Sequence, residues 1–250
     1  MPALSTPALV LRRADYKDYD RMVTLFTPEY GRIDAIARGC RRSKSPLTNA
    51  TEPFAYGEYQ LYLRKDRYTV NQVSVRQNHL KLTERYEYFL HGAYWLRLLE
   101  AAVMPEAPAE GLFLITLKAL AYLSYSDLPP ELLTMAFEMH LMAQLGLQPR
   151  VDSCLLCGRR LEGEAHFDAI LGGAICTRCA SDSPVISNGA RRIIMKLPRT
   201  AFEKIDLVLD HPDWKEAAYA FRQYVIDRLH VEDYAPALAQ IESSNSVYSI

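Results

Sequence analysis

No apolar run in this chain is long enough to cross a bilayer. The longest, Leu112 to Tyr125, is broken by Lys118, whereas a membrane helix needs about 20 residues. Met1 to Thr6 lack the basic stretch and apolar run of a secretory leader. Also missing are the short motifs of common hydrolase and nucleotide sites: there is no G-x-S-x-G, no P-loop and no G-x-G-x-x-G. The chain has no internal repeat and no low-complexity tract. Cysteine is scarce, five in 250 residues, and nothing suggests an oxidising compartment. The expectation is a cytoplasmic protein with reduced thiols and no membrane partner. What remains is an ordinary globular composition, 49% hydrophobic and 24% charged, long enough for one or two domains.

Four of the five cysteines form two Cys-x-x-Cys pairs, Cys154/Cys157 and Cys176/Cys179, with 18 residues between the pairs. Such spacing delivers four thiolates from two tight knuckles to one tetrahedral zinc ion at ~2.3 Å per Zn–S bond. Gly158 follows the first knuckle and Gly172-Gly173 precede the second. A metal with four protein sulfurs keeps no open position, so the reading is one structural Zn2+. Two disulfides would use the same thiols but require an oxidising compartment. Zinc deaminases also use paired cysteines, but they need H-x-E on a helix and leave one position for water. Here Glu164 and His166 lie inside the zinc loop.

The net charge of −1 averages unlike segments. Residues 1–80 carry 13 Lys and Arg against 8 Asp and Glu, and residues 81–149 carry 4 against 8. Positive charge is concentrated at the N-terminal end, where an electrostatic partner is to be sought. Zinc with four thiolates carries a formal charge of about −2, which Arg150, Arg159, Arg160 and Arg178 are placed to offset.

The first 80 residues read as β. Ala8 to Arg13, Arg21 to Thr27, Arg32 to Arg38, Phe54 to Leu63 and Tyr68 to Val75 are short, partly alternating segments divided by turn-like punctuation. Five such strands suit a small closed barrel of the OB type, with an open meander as the competing arrangement. From Leu82 the period turns helical. Thr83 is the expected N-cap of a helix to about Val103, followed by a helix over Glu110 to Ser124 and a third that begins after Pro129-Pro130 and stops at Gly146. Gly189 to Leu197, Ala201 to Leu209 and Trp214 to Leu229 are further expected helices, and the Ser-rich tail from Glu242 to Ile250 is expected to fray. His140, on a mostly apolar face, reads as a core histidine. The expected fold class is α+β: an OB-fold barrel over 1–80, then an all-α domain over 81–149 and 183–250, with the four-cysteine zinc module inserted over 150–182.

The strip Arg38-Gly39-Cys40-Arg41-Arg42-Ser43-Lys44-Ser45 holds four cations and no acid in a predicted loop. Further cations at Arg12, Arg13, Arg64, Lys65 and Arg67 lie among Tyr16, Tyr19, Tyr59, Tyr62 and Tyr68. Forked cations, hydroxyls and backbone N–H groups suit phosphate, and aromatics beside them suit the bases of a single strand. These nine cations are the candidate nucleic-acid contacts; the competing reading is a solvated loop and barrel-core tyrosines. Cys40, beside arginines that would lower its pKa, reads as a spectator thiol before a nucleophile. Reversing Arg41 and Arg42 to Glu is expected to abolish nucleic-acid binding with folding intact.

Tyr16-x-Asp18-x-Asp20-Arg21, Leu25-Phe26-Thr27, Gly31, Ala37-Arg38-Gly39, Arg41-Arg42-x-Lys44-Ser45 and Pro53-Phe54 resemble the N-terminal signature of the bacterial RecO family of recombination mediators. The order of barrel, helices, zinc module and further helices is similar over the whole chain. The resemblance implies a protein that is not an enzyme, binds single- and double-stranded DNA and anneals complementary strands. It also implies work with RecR to load RecA on strands coated by single-stranded DNA-binding protein, whose C-terminal tail the helical domain would recognise. Arg12, Arg38, Arg41, Arg42 and Lys44 would be the backbone contacts. An RNA-binding factor of translation or ribosome assembly is the alternative that a barrel with a zinc module also allows; preference for RNA over DNA of equal length separates the two.

Overall fold

The alternating segments of the first 80 residues become five strands in the computed structural model, which describes residues 3–179 and 182–232. They are β1 (Ala3–Tyr16), β2 (Asp20–Thr27), β3 (Gly31–Ala37), β4 (Tyr56–Arg64) and β5 (Arg67–Gln77). They close in the order β1-β2-β3-β5-β4, with β4 paired back to β1. Every pairing is antiparallel except β3 with β5, where Ala35 meets Tyr68 and Ile36 meets Thr69. Closure removes the free sheet edges that the meander would have left. This is an OB-type barrel. Val10, Leu25, Ala35, Tyr59 and Leu61 fill it, all without solvent exposure.

The chain divides into two compact units, the first ending at Leu120 and the second beginning at Ala121. In the first, a 3₁₀ turn (Leu80–Glu84) leads into α1 (Tyr86–Ala102), and α2 (Glu110–Tyr125) begins. Thr83 does not cap α1: its hydroxyl donates to Leu80 O within the 3₁₀ turn, and Arg85 stands at the cap position without a side-chain bond. Aromatic edges join helix to barrel, Phe89 against Phe54 and Phe113 against Phe26, with centroids 5.9 and 5.1 Å apart. Gly31 shows why one position admits no side chain. Its φ is +60°, and a Cβ there would strike the carbonyls of Met104 and Ala107.

In the second unit α3 (Pro130–Gln144) is buried on all sides, from Leu132 through Met142, with the polar Thr134, Glu138 and His140 among the buried residues. His140 lies in that core, its ring 5.8 Å from Phe202, and burial lowers its pKa. Glu138, fully buried, faces Arg222 at 3.8 Å. Three short strands follow, β6 (Ala165–Asp168), β7 (Gly173–Ile175) and β8 (Val185–Ile186), in the order β7-β6-β8. Then come α4 (Asn188–Lys196), whose first turn is capped by the Ser187 hydroxyl accepting from Ala190 N at 3.1 Å, and α5 (Trp214–Leu229). The helix expected over Ala201 to Leu209 is instead a 3₁₀ segment, Phe202–Val208. Phe202, Ile205 and Val208 turn inward at every third residue, a spacing that suits three residues per turn rather than 3.6. The Ser-rich tail, Glu242 to Ile250, lies outside the described residues.

Candidate nucleic-acid interface and metal centre

One part of the barrel surface opens into a cleft of about 640 Å³. Tyr16 and Lys17 enter from the end of β1 and its turn, Arg38 from just past β3, and Arg64, Lys65 and Arg67 from the β4–β5 hairpin. The hairpin is two residues long, with Lys65 and Asp66 at φ of +49° and +57°, the primed turn that matches strand twist. That turn, with the parallel β3–β5 pairing, gathers cations from segments up to fifty positions apart. Five cations therefore face the cleft against one carboxylate, Asp20, whose Oδ1 already accepts Gly39 N at 2.8 Å. The Lys17 ammonium lies 5.3 Å from the Tyr16 ring centroid. Lys17 escaped the sequence reading because it sits alone among the acids Asp15, Asp18 and Asp20.

The other sequence candidates stand elsewhere on the barrel. Arg12 pairs with Glu100 at 2.7 Å and Arg13 with Glu52 at 3.0 Å. Arg41 reaches Asp15 at 3.4 Å, and Arg42 lies over the Tyr19 ring at 5.2 Å. Lys44 is exposed in the loop, at φ +66°. Of the tyrosines, Tyr59 is a core residue: its hydroxyl donates to Ala50 O at 2.7 Å and burial raises its pKa. Tyr19 and Tyr62 are exposed, and Tyr16 and Tyr68 half-buried. Cys40 is fully buried in the barrel core, where burial raises its thiol pKa in spite of Arg21. A buried neutral thiol is a poor nucleophile.

In the second unit the four paired cysteines converge, their sulfurs all within 4.8 Å of one another. The knuckles form by short backbone bonds, Gly158 N to Cys154 O at 3.0 Å and Cys179 N to Cys176 O at 2.9 Å. Leu155 N bonds Ala174 O at 2.9 Å, which ties the first knuckle to β7. The Cys157 and Cys176 sulfurs are 3.8 Å apart. A disulfide requires ~2.05 Å, while a tetrahedron with ~2.3 Å arms has edges of about 3.8 Å. Burial would raise the Cys154 thiol, but the N–H groups of Cys176, Cys157 and Leu156 bring it down to about 6. Cys179, hydrogen-bonded to the Cys176 and Cys157 sulfurs, is pushed up to about 12. Cys154 ionises readily while Cys179 resists it, and four thiolates this close together call for a cation. The group can hold a metal ion.

Arg191, on α4 and only 4% exposed, locks this module to the helices. Its guanidinium donates to Val151 O at 2.7 Å, Gly163 O at 2.7 Å and Leu161 O at 3.3 Å, and to Asn188 Oδ1 at 2.9 Å. No carboxylate is among these partners, and burial lowers its pKa. Nothing in the sequence distinguished it from the adjacent Arg192.

Comparison with known proteins fits both parts. Residues 1–79 match the family model for the recombination protein O N terminal region, and residues 83–233 the model for its C terminal region. A relative named DNA repair protein RecO from Clostridium novyi is 28% identical over 241 residues, 96% of this chain and 93% of its own length. Relatives of the same name from Desulfitobacterium hafniense and Acetivibrio thermocellus are 34% identical over 206 residues and 28% over 238. The first alignment covers 80% of this chain and 75% of the relative, the second 92% and 93%.

Proposed function

This chain belongs to the recombination protein O family of DNA repair proteins, and we propose that its barrel cleft holds the DNA backbone while complementary strands anneal. The observation that carries this reading is the convergence of Lys17, Arg38, Arg64, Lys65 and Arg67 on one cleft. Annealing forms and breaks no covalent bond. It requires neutralisation of two phosphate backbones while the base edges stay free to pair, and cations on a curved strand surface supply that. Tyr16 in the cleft and the exposed Tyr19 and Tyr62 are available for stacking on unpaired bases. The role is that of a cytoplasmic mediator acting with RecR on single- and double-stranded DNA. Through the tail of the single-stranded DNA-binding protein it helps RecA onto coated strands.

Cys154, Cys157, Cys176 and Cys179 would hold zinc, since four thiolates in a tetrahedron suit that ion. Bound there, the ion would cross-link two knuckles that otherwise rest on a small sheet. Among the described residues no helix is long and apolar enough to cross a membrane.

The test is the annealing rate of two complementary oligonucleotides, each coated with the single-stranded DNA-binding protein of the same organism. Acceleration that disappears at high salt, and when that protein's C-terminal tail is removed, is the expected result. Binding to bare DNA with no acceleration on coated strands would reduce the protein to a general single-strand binder. Tighter binding to RNA than to DNA of equal length would favour the translation-factor reading.

A further inference from the structure

A second concave surface lies in the second unit, opposite in character to the cleft of the barrel. The groove, about 450 Å³, runs between the β6–β8 edge of the cysteine module and the first half of α5. Phe167, Pro184 and Ala220 line it, and its walls are Ile170, Val185 and Tyr219. These wall residues are 74%, 57% and 67% exposed. Tyr219 is conspicuous on its helix, because Ala217, Ala218 and Phe221 beside it are buried. Large apolar side chains left in water around one concavity mark a binding surface. The rim supplies the sign of the charge: Asp168, Asp182 and Glu216 line the groove and no Lys or Arg does. Asp168 accepts from Leu171 N and the Ser183 hydroxyl, and Glu216 Oε1 from Ser187 N, so both carboxylates are held in place.

We propose that this groove docks a short segment of a partner protein in which an apolar side chain is flanked by Lys or Arg. The apolar anchor would enter between Ile170, Val185 and Tyr219, and the cation would meet the carboxylate rim. Charge complementarity selects this occupant. DNA is repelled by the same three carboxylates. The chain's own C-terminal residues, 233–250, contain Asp233 and Glu242 but no Lys, Arg or His, so they carry the wrong sign. Nothing in the proposal depends on the barrel cleft: one protein would hold nucleic acid on a basic surface and a basic protein segment on an acidic one.

The probe is a labelled eight-residue peptide with a Leu-Phe centre flanked by lysines, titrated into the full-length protein and followed by fluorescence anisotropy. Controls replace the lysines by glutamates, or Leu-Phe by Ser-Ser. The expected result is binding of the lysine peptide alone, weakened about tenfold by Tyr219→Ser and again by Asp182→Lys, as when one anchor or one rim charge is lost. Both positions are on the surface, so the variants should keep the parent melting temperature and DNA affinity; an intact DNA affinity separates failure here from failure of the annealing role. Equal binding of the glutamate peptide, or no binding of the lysine peptide, overturns the proposal. So does a dimer in solution that Tyr219→Ser dissociates, which would make a second copy the occupant. If deletion of 233–250 is required before the peptide binds, the chain's own tail is the occupant and the proposal again fails.

Discussion

Arg38 and Arg67 stand 29 positions apart in the sequence and line one cleft. Arg41 and Arg42, the pair chosen from the sequence for charge reversal, already have partners, Asp15 and the Tyr19 ring. A free cation gives its full charge to phosphate, whereas one held by a carboxylate must first exchange it. Charged hydrogen bonds are worth roughly 1.5–3 kcal/mol each, so Arg38→Glu with Arg67→Glu should weaken single-strand binding by about 100-fold at moderate salt. The same variant should flatten the slope of log affinity against log salt by about 0.7 per lost contact. Arg41→Glu with Arg42→Glu should cost less. Oligonucleotide anisotropy at several salt concentrations measures both, and a larger loss in the Arg41/Arg42 variant would move the backbone path from the cleft to the loop. The difference was illegible in the sequence because a pattern of residues reports charge and not whether the charge is already paired.

Among the elements, the strands and the cysteine knuckles were the most legible. Period-2 alternation and turn residues located all five barrel strands, and the Cys-x-x-Cys spacing located the four sulfurs that meet. The 3₁₀ segment at Phe202–Val208 was misread as an α-helix because its inward residues recur every third position, a spacing also present in amphipathic helices. The cysteine module has a small sheet and few apolar residues of its own, and Arg191 ties its carbonyls to α4. The four-cysteine cluster and this arginine therefore support the same element. Cys176→Ser should abolish stoichiometric metal binding, seen by elemental analysis, and lower the melting temperature of the second unit. Circular dichroism should show the strands of the barrel intact. If that variant keeps its full metal content and melting temperature, the four-thiolate assignment is wrong.

At the scale of the whole molecule, each compact unit has one tryptophan, Trp95 in the first and Trp214 in the second, and buried histidines, His79 and His91 in the first and His140 in the second. Burial lowers the pKa of His79, to about 4, and that of His140. The unfolded chain titrates near 6.5, so between pH 6.5 and 4 it binds more protons than the folded protein, and stability falls as pH falls. At pH 5 the loss from His79 is about 2 kcal/mol relative to pH 7. Urea unfolding followed by Trp95 fluorescence in a Trp214→Phe background should show this loss, and His79→Gln should remove most of it. A transition with the same midpoint at pH 7 and pH 5 would place His79 in contact with water. The sequence by itself determined the OB barrel, the α+β order, the four clustered sulfurs and the basic character of the first 80 residues. Those follow from local period, from spacing and from composition, which a linear chain carries in full. Tertiary structure alone decided which cations face one cleft, that Tyr59 and Cys40 fill the core, and that Arg191 braces the cysteine module. Burial and ion pairing are set by residues tens of positions away, brought near only when the barrel closes and the helices pack.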